Sequence, residues 1–187
     1  QPRVLNLKEL IDAFNGHRRE VVTRRTVFDL QKARDRVHIL EGLAVALSNI
    51  DAMIILIKQA KDAGEAKASL MKQVWQAAQT IEILTRAGSQ DTITRTTELY
   101  GLSEEGYRLS PEQAQAILDM RLNRLTGLEQ DKIIGEHKEL KEEIKQLTEI
   151  LQNPARLMQV IREELNAVKE EFGDQRRTEI AATEEGD

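Results

Sequence analysis

The longest regular pattern of apolar positions lies near the N-terminus and predicts one long helix over residues 7–49. Asn6 precedes this helix as an N-cap, because its side chain can accept hydrogen bonds from the free N–H groups of the first turn. An apolar residue recurs at every seventh position in the first half of the pattern: Leu7, Phe14, Val21 and Phe28. So narrow a row suits a single partner helix. Beyond Phe28 apolar positions become more frequent, which is typical of a helix that enters a core.

A second long helical stretch is predicted over residues 126–172. Thr126 and Glu129 have the spacing of a capping box, which begins a helix. A heptad pattern with one polar position follows: Ile133, His137, Leu140, Ile144, Leu147 and Leu151. His137 therefore occupies a position where a single polar residue commonly sets the helix register. Pro154 indicates a new helical segment, which is expected to end at Gly173.

The two stretches have matching lengths and opposite charge. At a rise of 1.5 Å per residue each spans roughly 65 Å. Residues 17–36 carry seven Lys/Arg and three Asp/Glu, whereas residues 129–151 carry seven Asp/Glu and four Lys. The pattern predicts an antiparallel pair, in which the Leu7–Phe28 row packs on the apolar rows of residues 144–172. The predicted fold is all-α: a long antiparallel coiled-coil hairpin that carries a small globular helical head.

Five parts of the chain are predicted on this basis. They are an extended lead-in (1–6), an ascending arm helix (7–49), a globular head for dimerisation (50–125), returning arm helices (126–172) and an acidic tail (173–187). Within the head, short helices are expected at 51–60, 64–71 and 76–87, and a loop is expected over 88–106. Ser110, Pro111 and Gln113 then predict a capped helix that continues to Leu125.

The amino-acid composition excludes several classes of protein. Cysteine is absent, which excludes disulfide scaffolds, thiolate zinc sites and a cysteine nucleophile. Aromatic residues make up only 3% of the chain and charged residues 32%, a balance unlike that of a β-sandwich. The most apolar window, residues 43–57, is too short to span a membrane, and the first 25 residues are too charged for a signal peptide. A soluble cytoplasmic protein without membrane association is expected.

The sequence contains few candidates for catalytic or ligand-binding residues. The three histidines have no ligand-like spacing, no glycine-rich phosphate loop occurs, and the tyrosines lack a neighbouring base. We therefore predict no catalytic, cofactor-binding or metal-binding residue in this chain. The basic stretch 17–26 allows two interpretations: a DNA-facing surface, or ionic pairing with the acidic returning helix, which is favoured because acidic residues are interspersed. The residues concerned are Arg18, Arg19, Arg24 and Arg25.

The helix that Ser110 begins has more apolar positions than one buried face requires. We predict that part of this surface forms a two-fold interface, in which the same patch of two subunits meets. The candidate residues are Tyr107, Leu109, Ile117, Met120 and Leu122. An interface that must reopen is expected to be near or below the usual size of about 1,600 Å².

Four runs of sequence carry a resemblance to a known family. They are HRREVVTRRT at 17–26, KARDRVHILEGLAVALSNID at 32–51, QAQAILDMRLNRLTGLEQDKI at 113–133 and LMQVIREELNAVKEEFGDQRRTEI at 157–180. Residues 1–180 resemble the coiled-coil arm and exit-gate module of bacterial type II topoisomerase A subunits. The LTGLE run and the RRTEI run are similar to DNA gyrase more than to topoisomerase IV.

The resemblance implies a homodimeric exit gate that holds two subunits together and opens to release a transported DNA duplex. It also implies the B subunit of gyrase and duplex DNA as partners. Mg²⁺ and ATP are expected only for the complete enzyme, and the strand-cleaving tyrosine, which follows an arginine in this family, has no counterpart here. Two alternatives remain: the equivalent part of topoisomerase IV, or a helical-hairpin scaffold or adaptor unconnected with DNA.

Overall fold

A computed structural model describes residues 4–76, 100–103, 105–120 and 127–179. The elements are α1 (Leu7–Ser48), α2 (Ile50–Gln59), α3 (Ala63–Lys72), β1 (Gly101–Ser103), β2 (Gly106–Arg108), α4 (Pro111–Asp119), α5 (Gly127–Gln152) and α6 (Pro154–Phe172). The all-α class is confirmed, with one short β-hairpin added. The predicted helix at 76–87 lies outside the described residues, apart from Gln76.

Local capping explains where most helices begin. At the start of α1, the Glu9 N–H donates to Asn6 Oδ1 and the Asn6 N–H donates to Glu9 Oε2, both at 2.9 Å. Ser110 and Gln113 form the predicted capping box of α4. The α5–α6 break also occurs where Pro154 predicts it, with Asn153 Oδ1 accepting from the Ala155 N–H at 3.0 Å. Helix α5 begins at Gly127, directly after Thr126, which lies outside the described residues.

The chain divides into two compact units. One consists of Gln1–Thr26 together with Glu149–Asp187, and the other is Val27–Thr148. In the first unit the N-terminal part of α1 contacts α6, through Arg18 and Glu164 for example. In the second unit the remainder of α1 contacts α5. Each unit therefore pairs α1 with a returning helix, as the predicted hairpin requires.

The face of α1 that packs in the first unit differs from the predicted one. Leu7 is 73% exposed and Val21 is 37% exposed, whereas Val22 and Thr26 are buried. The expectation that the Leu7–Phe28 row forms the contact is therefore wrong. The buried row is displaced by one residue and includes a threonine. Thr26 can be buried because its hydroxyl group donates a hydrogen bond to the Val22 carbonyl at 2.8 Å.

The core of the Val27–Thr148 unit gathers around an aromatic pair. Trp75 and Tyr107 are both almost fully buried, and the Trp75 indole N–H donates to the Leu70 carbonyl at 2.9 Å. The other buried members of this core are Val45, Ala46, Met53, Leu70, Leu109, Ala114 and Ile117. A smaller cluster joins α1 to α5 through Leu40, Leu47 and Ile133.

A two-stranded antiparallel hairpin occupies part of the predicted loop. Leu102 pairs with Tyr107, and Ser103 pairs with Gly106. Gly106 has a φ of +139°, and a Cβ there would lie 2.5 Å from the Trp75 carbonyl oxygen, so only glycine fits. Trp75 and Tyr107 also exchange two backbone hydrogen bonds, of 2.9 and 2.8 Å. The loop prediction over 88–106 is thus wrong for residues 101–103 and 106.

Helix α4 ends earlier than the apolar pattern predicts. Its last residue is Asp119, and Met120 follows in an extended conformation with its N–H donating to the Ala116 carbonyl. Residues 121–126, which the prediction included in part, lie outside the described residues.

Across the described ranges, no single helix has both the length and the apolar character needed to cross a membrane. Helices α1 and α2 pass that test only when taken together, and they are bent by 92° at the break between them.

Candidate functional site

Three of the five candidate interface residues belong to the core of the monomer. Leu109 and Ile117 are completely buried and Tyr107 is 1% exposed, and all three pack in the cluster that contains Trp75. Their side chains contact their own chain, so in this conformation they are not available to a second copy. The sequence shows more apolar positions here than one helix face needs, but it could not show that Trp75 packs against them.

The environment of Tyr107 suits a structural role. Burial raises the pKa of its hydroxyl group above the ordinary value, although the hydrogen bond from Gln113 acts in the opposite direction. A phenol held in its neutral form is a poor nucleophile. That Tyr107 has no catalytic role stays a prediction.

Gln113 is the centre of a buried polar network. From the sequence alone, it is predicted only to cap a helix. Its side-chain amide donates to the His38 carbonyl at 2.6 Å and to the Tyr107 hydroxyl at 2.7 Å, while its Oε1 accepts from the Ser110 N–H. The His38 Nε2 lies 2.7 Å from Ser110 Oγ. One glutamine thus joins α1, β2 and the start of α4, so these elements are positioned together.

The remaining two interface candidates differ from these three. Met120 is partly exposed at the end of α4, and Leu122 lies outside the described residues. The dimer interface stays a prediction, and among the described candidates Met120 is the one that reaches the surface.

Glu164 on α6 is the ionic partner of the basic stretch in the first unit. Its carboxylate accepts from Arg18 Nη2 at 2.7 Å and also from Arg25. The Arg18 and Glu164 side chains are both less than a third exposed. Two of the four arginines, Arg18 and Arg25, thus pair with a returning helix, at a glutamate that lies beyond the acidic segment 129–151 from which the pairing was predicted.

The other two arginines of the stretch have different neighbours. Arg24 is 78% exposed and pairs with Glu20, four residues earlier on the same helix. The Arg19 Nε lies 3.1 Å from the Met158 sulfur. Whether any of these side chains faces DNA stays a prediction.

Replacing Glu164 by glutamine is expected to lower the free energy of unfolding by about 1 kcal/mol, because one carboxylate neutralises two arginines. Chemical denaturation followed by circular dichroism measures the loss, which should shrink at high salt because screening weakens the pairs. Glu20→Gln is the matched control, since its exposed pair with Arg24 contributes about 0.3–0.5 kcal/mol. Equal losses for the two variants would contradict this assignment.

One ion pair and one close polar approach join α1 to α5 in the Val27–Thr148 unit. Arg36 donates through Nε and Nη2 to both carboxylate oxygens of Glu136, at 2.6 and 2.9 Å, and this hydrogen bonding holds the pKa of Glu136 below its ordinary value. Further along α1, Glu41 Oε1 lies 3.9 Å from His137 Nε2, and both side chains are completely buried. Nothing in the sequence indicated Glu41, because a glutamate within a helix is usually exposed.

A divalent metal ion needs several ligating side chains brought close together. Within residues 4–76, 100–103, 105–120 and 127–179, no three His, Asp or Glu residues come together as a metal site would require. We derive no catalytic step through such a group.

The family model that describes the A subunits of DNA gyrase and topoisomerase IV matches residues 1–166. The chain belongs to this family. The A subunit of DNA gyrase from Pseudomonas aeruginosa is 56% identical over 187 residues, which is 98% of this chain and 20% of that protein. The corresponding protein of Salmonella typhimurium is 52% identical over 183 residues, covering 97% of this chain and 21% of its own length.

The chain spans about a fifth of the length of these curated relatives. The A subunit of DNA gyrase from Escherichia coli is 54% identical over 138 residues, which is 73% of this chain and 16% of that protein. The similarity to the Pseudomonas and Salmonella proteins covers both units of the gyrase-family chain described above, including the paired helices and the core around Trp75.

Proposed function

We propose that this gyrase-family chain is the exit-gate dimerisation module of a DNA gyrase A subunit. In this role two copies hold the enzyme together while DNA is cleaved elsewhere, and then part to release the transported duplex. The main support is that the A subunits of several bacterial gyrases align with nearly the whole chain. The family model covers topoisomerase IV as well, so the equivalent part of that enzyme is the second candidate.

The structure supports a mechanical role more than a chemical one. Long paired helices contribute most of the described residues, and the polar network around Gln113 is buried and holds elements of the fold together. We infer that the complete enzyme changes DNA topology by ATP-dependent strand passage, with the gyrase B subunit as partner, and that it works in the cytoplasm. Mg²⁺, ATP and the cleaving tyrosine are assigned to other parts of that enzyme.

The single test of this proposal is self-association. Analytical ultracentrifugation of the chain should show a dimer at tens of micromolar, as a rough threshold for a weak contact. A strictly monomeric chain at that concentration would remove the physical support for an exit gate. A dimer that persists after Met120 is changed would leave the gate possible but place its interface elsewhere.

Met120→Asp is expected to raise the dimer dissociation constant about 100-fold, which corresponds to about 2.7 kcal/mol. A carboxylate in a desolvated contact lacks a partner and is therefore costly. Because Met120 is partly exposed and follows the last residue of α4, helix content should be unchanged. Sedimentation gives the dissociation constant and circular dichroism gives the helix content. Gln59→Asp, at the exposed end of α2, is the control that adds the same charge on a different helix.

A further inference from the structure

The Glu41–His137 pair is the least satisfied polar feature among the described residues. Both carboxylate oxygens of Glu41 and both ring nitrogens of His137 are buried without a hydrogen-bond partner. The closest approach, 3.9 Å between Oε1 and Nε2, is longer than a hydrogen bond. Buried polar groups in proteins rarely lack hydrogen-bond partners, so the presence of this pair in an apolar contact calls for an explanation.

Apolar residues surround the pair on both helices. Val37 and Ala44 lie one turn to either side of Glu41 on α1 and are buried. On α5, Ile133 is buried four residues before His137, and Leu140 packs against the same cluster three residues after it. Each polar side chain thus interrupts an otherwise apolar row.

Two further titratable side chains lie near Glu41. Lys141 is one turn along α5 from His137, and burial lowers its pKa while the negative charge of Glu41 acts in the opposite direction. On β2, burial is the main cause of the raised pKa of Tyr107, and Glu41 adds to it. Glu41 is therefore close enough to both groups to affect them, and the polar side chain that faces it across the apolar rows is His137.

The effect of the polar pair on the alignment of α1 and α5 follows from considering a displacement of one helix along the other. If α5 moved by one turn relative to α1, apolar side chains would still meet apolar side chains. A displacement in one direction, however, would bring Glu41 opposite Ile133, and a displacement in the other would bring it beside Leu140 and Lys141. In both cases His137 would face an apolar residue of α1. Two buried polar groups that lie 3.9 Å apart in the present alignment would then be moved out of reach of each other, and each would be left among apolar side chains, which is unfavourable.

We propose that Glu41 and His137 form a register lock, a buried polar pair that holds α1 and α5 in one alignment and penalises alignments that separate the two side chains. The apolar residues supply the attraction between the helices, and the pair supplies its specificity. This role goes beyond the proposed gate function and does not depend on it. A single polar residue in a coiled-coil seam is known to act in this way.

The test compares the pair with an apolar replacement. The chain has no cysteine, so Lys32→Cys on α1 and Asp131→Cys on α5 introduce two exposed sites for spin labels. Electron–electron double resonance then measures the distance between the labels, with excess unlabelled chain added so that only distances within one chain contribute. The background variant should give one narrow distance.

In the background of these labels, Glu41→Leu/His137→Leu should add a second distance displaced by about 5 Å, one helical turn. Arg36→Met/Glu136→Met is the matched control: it removes an exposed pair between the same two helices and should keep the single distance. A single unchanged distance in the leucine double variant overturns the proposal.

Thermal unfolding gives an independent measurement. Glu41→Leu or His137→Leu alone leaves one buried polar group without its neighbour, so each single variant should melt below the original chain. The double variant should melt above both single variants, because it removes both groups together. A double variant that melts below both, or does not fold, overturns the proposal.

Discussion

Tyr107→Ala is expected to lower the free energy of unfolding of the Val27–Thr148 unit by about 3–5 kcal/mol, the usual loss for a large aromatic side chain removed from a core. Tyr107 is 1% exposed and packs in the cluster that contains Trp75, Leu109 and Ile117. Its removal leaves a cavity and takes the hydroxyl acceptor from Gln113. Trp75 is the only tryptophan and is buried beside Tyr107, so its fluorescence follows urea unfolding directly.

Tyr107→Phe is the control for this experiment. It keeps the ring and removes only the hydroxyl group, so a loss of about 1 kcal/mol is expected from the hydrogen bond. The sequence alone placed Tyr107 at a dimer interface. If Tyr107→Ala kept its stability and lost only dimerisation, the interface would be right and the core assignment wrong.

Gly42→Ala is expected to lower the free energy of unfolding by about 1–3 kcal/mol, the cost of overpacking, although alanine is the better helix former. A Cβ on Gly42 would lie 2.7 Å from both Cβ and Cγ of Gln113. Gln113 cannot move away without losing its bonds to the His38 carbonyl and the Tyr107 hydroxyl. Urea unfolding followed by Trp75 fluorescence measures the loss.

Gly135→Ala is the matched control in the same unit. Gly135 lies within α5 with nothing within 4 Å of a Cβ, so this change should stabilise the chain by about 1 kcal/mol. The two substitutions are chemically identical and should differ in sign. Stabilisation by both would mean that α4 does not approach α1 as closely as described.

The features that could be predicted well from sequence are those decided by neighbouring residues. A helix begins at each of Asn6, Ser110 and Pro154 because of residues no more than three positions away. All the residues that decide these helix starts can therefore be read from the neighbouring sequence. The break between α5 and α6 follows equally from local chemistry. The all-α class and the pairing of α1 with a returning helix follow from the length and periodicity of the apolar pattern.

The features that could not be predicted depend on distant partners. The row containing Leu7 is apolar at every seventh position, yet Val22 and Thr26 are the buried residues, so the position of α6 and not the local pattern decides the contact face. Strands of three residues are too short to show alternation, so β1 and β2 look like a polar loop. The sequence predicts Tyr107 and Leu109 at a surface because Trp75, which packs with them, is more than thirty residues away.

The break between α5 and α6 separates two stretches of backbone that open on their own. Pro154 has no N–H group, and Asn153 is extended, so the ladder of helical hydrogen bonds does not run unbroken across this point. Local unfolding spreads through continuous hydrogen-bonded units and stops where they are interrupted. Fraying that begins at Phe172 is therefore expected to stop at Asn153, and the amide protons of α5 are expected to exchange with solvent at a rate of their own.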